Sequence, residues 1–326
     1  MVGVIVVNTG SPDSYNPRDV GRYLAEFLMD ERVIDIPLWQ RFLLVKGIIV
    51  PFRKYKSAKS YQKIWGDNGS PLLTNTTEQA RLLEMALDTP VEVAMRYGNP
   101  TVEHASLRLA SRASKLSKVV VVPMFPHYAM SSYESVLNHA VGEVKRVLPS
   151  VKVGWVEPYY SKAGYIAALA DKFSNVNLEQ YDWLQLSYHS IPLRHQSKSL
   201  ASIGKQDFRK ASYSYQVEQT SLLLAQKLGM DTRFGVSYQS SLGSKWLGPS
   251  TSEVLSELPR KGVRRLLIAS PAFVADNLET IKDIGEEARA VFIESGGEEL
   301  CYVPCLNGSK LFAEFLSDEV KQLYED

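Results

Sequence analysis

The chain has 326 residues, a length that suits two domains and buries a full core without disulfide staples. Lys and Arg total 37 against 36 Asp and Glu; a net charge of +1 leaves no electrostatic footprint for nucleic acid, so no such partner is expected. Two cysteines, Cys301 and Cys305, exclude a disulfide scaffold and a four-cysteine metal site drawn from this chain, and they fit a reducing, cytoplasmic compartment.

The opening Met1-Val-Gly-Val-Ile-Val-Val-Asn8 lacks a basic n-region and is too short an apolar run for a signal peptide. No stretch reaches the ~18 uncharged apolar residues of a spanning helix. Short β-branched runs then recur along the chain, each closed by Gly, Pro, Ser or Asn. They predict strands at Val2–Val7, Val91–Met95, Lys118–Val122 and Val151–Val156, and again at Trp183–Tyr188, Thr232–Tyr238, Arg264–Ala269 and Leu300–Val303. Near-continuous apolar runs suit strands buried on both faces of a parallel sheet. Helical patterns intervene, among them Thr76–Leu87, Tyr133–Leu148 and Tyr215–Leu228, and a last helix is expected over Lys310–Tyr324. This alternation predicts a doubly wound α/β architecture.

The two halves also resemble each other. Lys118-Val-Val-Val-Val-Pro-Met-Phe-Pro126 leads to Glu134, and Arg265-Leu-Leu-Ile-Ala-Ser-Pro271 leads to Glu279; each Glu follows its Pro by eight residues. Asn8-Thr-Gly-Ser-Pro12 likewise matches Tyr188-His-Ser-Ile-Pro192. The expected fold is therefore α/β with two similar Rossmann-like lobes. Each is a four-stranded parallel sheet flanked by helices, and a cleft lies between them at the carboxyl ends of the strands. The lobes are taken as 1–160 and 161–326, with the last helix free to pack on either.

Several signatures are missing: G-x-G-x-x-G, G-x-x-x-x-G-K-[ST] and G-x-S-x-G. Dinucleotide, P-loop and α/β-hydrolase chemistry lose their usual support. Candidate groups remain at the strand ends. His189, in Leu186-Ser-Tyr-His-Ser-Ile-Pro192, is either a presented imidazole or a loop histidine bonded to backbone. His127, beside Tyr128, ends the matching strand of the first half and either faces His189 or bonds locally. Arg96 and Tyr97 offer a cation or an aromatic wall. Glu279 has two readings. Asp276 as N-cap and Glu279 three residues on form a capping box, whereas Glu279, Asp283 and Glu286/Glu287 form an acidic stripe that a cation or a proton could follow. On the residues alone the cap is the simpler reading, because like charges at i,i+4 cost only a few tenths of a kcal/mol on a solvated face. His104 and His139 read as surface or boundary residues.

Taken together, these segments resemble the ferrochelatase family, which inserts ferrous iron into a porphyrin. The resemblance runs from about Val4 to Asn307. It rests on the opening Val-Asn-Thr-Gly-Ser-Pro, on Ile64-Trp-Gly-Asp-Asn-Gly-Ser-Pro-Leu72 and on Ala94-Met-Arg-Tyr-Gly-Asn-Pro100. It continues through Ser187-Tyr-His-Ser-Ile-Pro192, Gln239-Ser-Ser-Leu-Gly-Ser-Lys-Trp-Leu-Gly-Pro249 and Pro271-Ala-Phe-Val-Ala-Asp-Asn-Leu-Glu-Thr280. It implies His189 and Glu279 as catalytic residues, with His189, Glu279, Asp283 and Glu287 as the path of the metal. Ile34, Arg96, Tyr97, His127, Tyr128 and Trp246 are implied to bind the porphyrin. The implied reaction uses Fe²⁺ as substrate and protoporphyrin IX as acceptor, gives haem b with two protons released, and needs no tightly bound cofactor. A neutral imidazole ligates iron or takes a proton near neutral pH, and a carboxylate offsets charge and passes protons on.

Departures from the family pattern fall at Asn277, where many relatives carry Cys or His, and at Val217, where others carry Cys. Pro126-His-Tyr128 replaces the Pro-Gln-Tyr of many protoporphyrin enzymes and matches the coproporphyrin branch, while the N-terminal stretch resembles the protoporphyrin branch of Gram-negative bacteria. The alternatives are a coproporphyrin III enzyme, a cobalt chelatase, or a non-catalytic tetrapyrrole carrier. Some relatives hold a [2Fe–2S] cluster through four cysteines; two thiols cannot supply that, and no iron–sulfur cluster is expected. Finally, residues 37–55 combine Trp39, Phe42, Leu43, Leu44, Ile48, Ile49 and Val50 with Arg41, Lys46, Arg53 and Lys54. This mix predicts an apolar lip in peripheral contact with the inner face of the membrane, or else residues packed into the first lobe.

Overall fold

The computed structural model describes residues 1–113 and 115–324. All eight expected strands form: β1 (Val2–Asn8), β2 (Val91–Met95), β3 (Lys118–Pro123), β4 (Lys152–Trp155), β5 (Trp183–His189), β6 (Phe234–Gln239), β7 (Arg265–Ala269) and β8 (Glu299–Tyr302). They build two four-stranded sheets, ordered β2-β1-β3-β4 and β6-β5-β7-β8, parallel throughout. The same order twice is what a duplicated unit produces. The chain packs as two compact units. The first holds β1–β4 together with the C-terminal stretch from Ala313, and the second holds β5–β8 together with the loop Phe125–Ala129.

In the first unit, Val4–Val7 of β1 and Val119–Val122 of β3 are fully enclosed, which is why these runs carry no polar alternation. Each such side chain contributes roughly 1.5–3 kcal/mol of burial. Asn8 is level with Met95, and Val7 with Pro123, so the loops after β1, β2 and β3 all leave from one edge of the sheet. Gly10 lies in the first of them at φ +106°, and a Cβ there would come within 1.9 Å of the Tyr97 carbonyl oxygen. Only glycine permits that approach. The last helix (Lys310–Lys321) closes this unit, with Ser317 donating to the Ala86 carbonyl.

In the second unit His189 is level with Gln239, and Leu186 with Ala269. Its core gathers Leu255, Leu266, Ile268, Ile284, Ala288 and Phe292, the last fully enclosed. Ile284 and Ala288 belong to a π-helix, Glu279–Ala288. Their packing fixes which way the rest of that helix faces.

Candidate functional site

β5 delivers His189 at its carboxyl end, partly exposed. Its Nδ1 lies 2.7 Å from the Ser190 carbonyl oxygen. A carbonyl only accepts, so Nδ1 carries the proton and Nε2 presents its lone pair. The following backbone is pinned as well: the Ser190 amide donates to Gln239 O at 2.9 Å, and its hydroxyl to Leu247 O at 2.7 Å. Burial pulls the imidazole pKa below its ordinary value, opposed by the Ser190 bond and the Asp283 charge.

The capping-box reading of Asp276 and Glu279 is corrected by the geometry. Asn277 is the cap: its Oδ1 accepts from the amides of Glu279 (2.9 Å) and Thr280 (3.2 Å). The Asp276 amide, which a capping box would give to Glu279, goes instead to Asn307 Oδ1 at 2.8 Å. The Asp276 carboxylate accepts from Tyr302 OH (2.5 Å), Asn307 Nδ2 (2.6 Å) and Thr280 Oγ1 (3.0 Å). This cap is built without the Glu279 carboxylate.

Within the π-helix, Thr280, Ile284 and Ala288 are buried, and Glu279, Asp283 and Glu287 follow the same spacing one residue earlier. Packing one column leaves Glu279 and Asp283 beside it, half-buried, and Glu287 exposed. The Asp283 carboxyl is pushed up to about 6 by burial and by the charges of Glu279 and Glu287, with Lys282 and His189 pulling the other way. Lys282 is drawn into the ladder, bonded to Glu287 and 3.9 Å from Asp283. Among the described residues no three of His, Cys, Asp or Glu converge as a metal centre. His189 and the ladder thus offer an imidazole lone pair and a file of carboxylates, one of which titrates just below neutral pH.

The remaining candidates fall in both units. In the first, Ile34 is partly exposed, and its carbonyl accepts from the buried Arg41 at 3.0 Å. Arg96 donates to Asp30 (2.6 Å) and to Ser135 (3.0 Å). Tyr97, expected at a ligand face, is enclosed at 1% exposure, donating to Asp30 at 2.9 Å beneath the Arg96 guanidinium. Burial acts to raise the Asp30 pKa, but Ser135, the Arg32 amide, Arg96 and Tyr97 outweigh it and hold it low. Glu134, the counterpart of Glu279, is bound by Arg32 at 3.0 Å.

In the second unit, Trp246 is partly exposed and its backbone bridges to Pro192, three residues past His189. Tyr128 is buried, and its amide donates to Gln216 Oε1 at 2.7 Å. His127 is enclosed at 2% exposure, and burial pushes its pKa down to about 3. The hydroxyl of Thr220 donates to Tyr160 O, so at 2.9 Å it accepts from His127 Nε2. Tyr97 and His127 are core residues here: the Tyr97 hydroxyl and His127 Nε2 find partners, while His127 Nδ1 is buried with none among the described residues. Sequence reasoning misses Asp30, Ser135, Tyr213, Tyr302 and Lys282. Only Lys282, a lone cation inside an acidic run, leaves a visible trace.

Residues 1–323 match the family described as ferrochelatase. The ferrochelatase of Opitutus terrae is 39% identical, covering 98% of this chain and 96% of that protein. That of Pseudomonas entomophila is 41% identical, covering 93% and 94%. Among solved structures, SirB from Bacillus subtilis with Fe³⁺ superposes at a TM-score of 0.53 over 78% of this chain and 91% of SirB. A sirohydrochlorin chelatase SirB in complex with cobalt gives the same score over 79% and 92%. At 15% and 13% identity these structures speak for the fold alone.

Proposed function

Because the chain belongs to the ferrochelatase family, and is therefore a metal chelatase, we propose that it inserts Fe²⁺ into protoporphyrin IX to form haem b, the closing step of haem synthesis, with His189 and Glu279 as the reacting groups. The observation that carries this is the pairing, in one unit, of a histidine whose Nε2 lone pair is uncommitted by its Nδ1 bond with a carboxylate ladder whose Asp283 feels the charge of that imidazole. The macrocycle must give up two N–H protons as the metal takes its four nitrogens. The imidazole and the leading carboxylate serve the reacting centre, one accepting protons and the other neutralising the incoming charge. Asp283, with a pKa near 6, takes up and releases a proton at little cost at neutral pH. In the unit that holds His189, the partly exposed Trp246 is the group we assign to the porphyrin.

His127 is the residue that resembles the coproporphyrin branch. Its enclosure offers no group to additional propionates, which favours protoporphyrin IX. We also place the chain in the cytoplasm, in peripheral contact with a membrane. No helix among the described residues is long and apolar enough to cross one. Leu38, Trp39, Phe42, Leu43, Ile48 and Phe52 are exposed, the first four around one open hollow. Between Pro37 and Trp65 there are seven Lys and Arg and no acid, a balance that suits anionic head groups.

The test is anaerobic incubation with Fe²⁺ and, in turn, protoporphyrin IX and coproporphyrin III, and with Co²⁺ and sirohydrochlorin, followed by visible spectra. Fastest metallation of protoporphyrin is expected. Preference for another ring reassigns the substrate, and tight binding without turnover makes the protein a carrier.

A further inference from the structure

We infer that Tyr213 is a positioning residue for His189, holding the His189–Ser190 peptide so that Nε2 of the imidazole remains the reactive nitrogen. The need arises from the sheet. After Gln239 the β6 chain turns out of the ladder at Ser240, whose φ is +58°. Gln239 O still accepts from the Ser190 amide, but the carbonyl of His189 lies beyond the reach of regular strand pairing. Its donor is a side chain instead: Tyr213 OH, at 2.9 Å. Both ends of one peptide plane are thereby fixed, the carbonyl by Tyr213 and the amide by Gln239. The neighbouring Ser190 carbonyl is the one that receives Nδ1–H. A peptide free to tilt would loosen that bond and admit the other tautomer, in which Nε2 carries the proton.

Tyr213 is itself immobilised. It is 4% exposed, at the start of the helix Tyr213–Lys227, which Ser212 caps through the Tyr215 amide. Its ring meets His127 edge-on at 6.0 Å, and His127 is locked by Thr220 and packs edge-on against Tyr188 at 5.5 Å. Enclosed in this way, His127 supports the ring that holds His189.

This inference rests on the reading of His189 as the reacting imidazole, so the experiment has one arm that needs no turnover. Two-bond ¹⁵N–¹H correlation spectra of ¹⁵N-histidine protein resolve tautomers, and there are five histidines to assign, His189 by its absence in His189→Ala. Wild type is expected to show His189 protonated at Nδ1, and Tyr213→Phe to show a mixture. In the activity arm, Tyr213→Phe keeps the ring against His127 and loses only the hydroxyl. Its kcat is expected to fall about 10- to 100-fold with the porphyrin KM unchanged. The control is Tyr188→Phe, which deletes an equally buried hydroxyl bonded to Ser221 Oγ at 2.8 Å and is expected to stay within about twofold of wild-type kcat. An unmixed Nδ1–H tautomer in Tyr213→Phe overturns the proposal. If the tautomer mixes while kcat holds, the positioning stands as geometry and it is His189's role in the reaction that fails.

Discussion

Replacing Asp283 by Asn is expected to make the protein more stable and the enzyme slower. The folded chain raises this carboxyl from 3.8 to about 6, mainly by burial and then by the charges of Glu279 and Glu287. A shift of about two units corresponds to a ceiling of roughly 3 kcal/mol. The Asp283 side chain is 36% exposed, so solvent screens part of it and roughly 1–1.5 kcal/mol is the expected gain. The folded state binds this proton more tightly than the unfolded chain does. The penalty of ionisation is therefore absent below about pH 4, grows between the two pKa values, and is complete above about 6. Asn, neutral throughout, recovers it only where Asp is ionised. Urea unfolding of both proteins should show the full difference at about pH 8 and little near pH 4, with melting raised by about 2–4 °C per kcal/mol at the higher pH. Turnover should drop roughly tenfold because the ladder loses its proton carrier. A stability gain that ignores pH, or a loss at pH 8, would refute the repulsion argument.

His189→Ala and Glu279→Ala should each cut metallation at least ~100-fold in anaerobic assays while circular dichroism stays native; near-normal turnover of either variant removes it from the reacting pair. Leu43→Asp combined with Ile48→Asp should abolish sedimentation with anionic liposomes at low salt, since both side chains are about 60% exposed, at 60% and 59%; unchanged binding in a folded double variant disproves the lip. Protein purified without haem should lack both visible absorption and acid-labile sulfide, because Cys301 and Cys305 are the chain's two thiols; stoichiometric sulfide would show a cluster.

The sheets were legible in the sequence because a strand enclosed on both faces must be apolar along its length, as Val119–Val122 are, and the repeated Pro-to-Glu spacing exposed the duplication. His189 stood out as a candidate for a related reason: parallel sheets put functional groups at strand ends, which can be counted along the chain, whereas Glu279 was implied only by the resemblance to the ferrochelatase family. What local pattern could not decide was which polar group meets which. Asp276 and Glu279 satisfy the spacing of a capping box, yet Asn307, thirty residues on, takes the Asp276 amide, and Asn277 takes the cap. Tyr97 and His127 look like ligand-facing residues at strand ends, but Asp30 and Thr220 draw them into the cores of their units. The pairing of Glu134 likewise depends on Arg32, a hundred residues before it. A hydrogen bond or a charge pair acts over a few ångströms without regard to sequence separation, so its partner is chosen only when the chain has folded. Hydrophobic periodicity is written residue by residue, and it set the strands, their order of appearance and the ends where chemistry could sit. Tertiary packing decided which of those ends kept an uncommitted lone pair and which were closed by a neighbour.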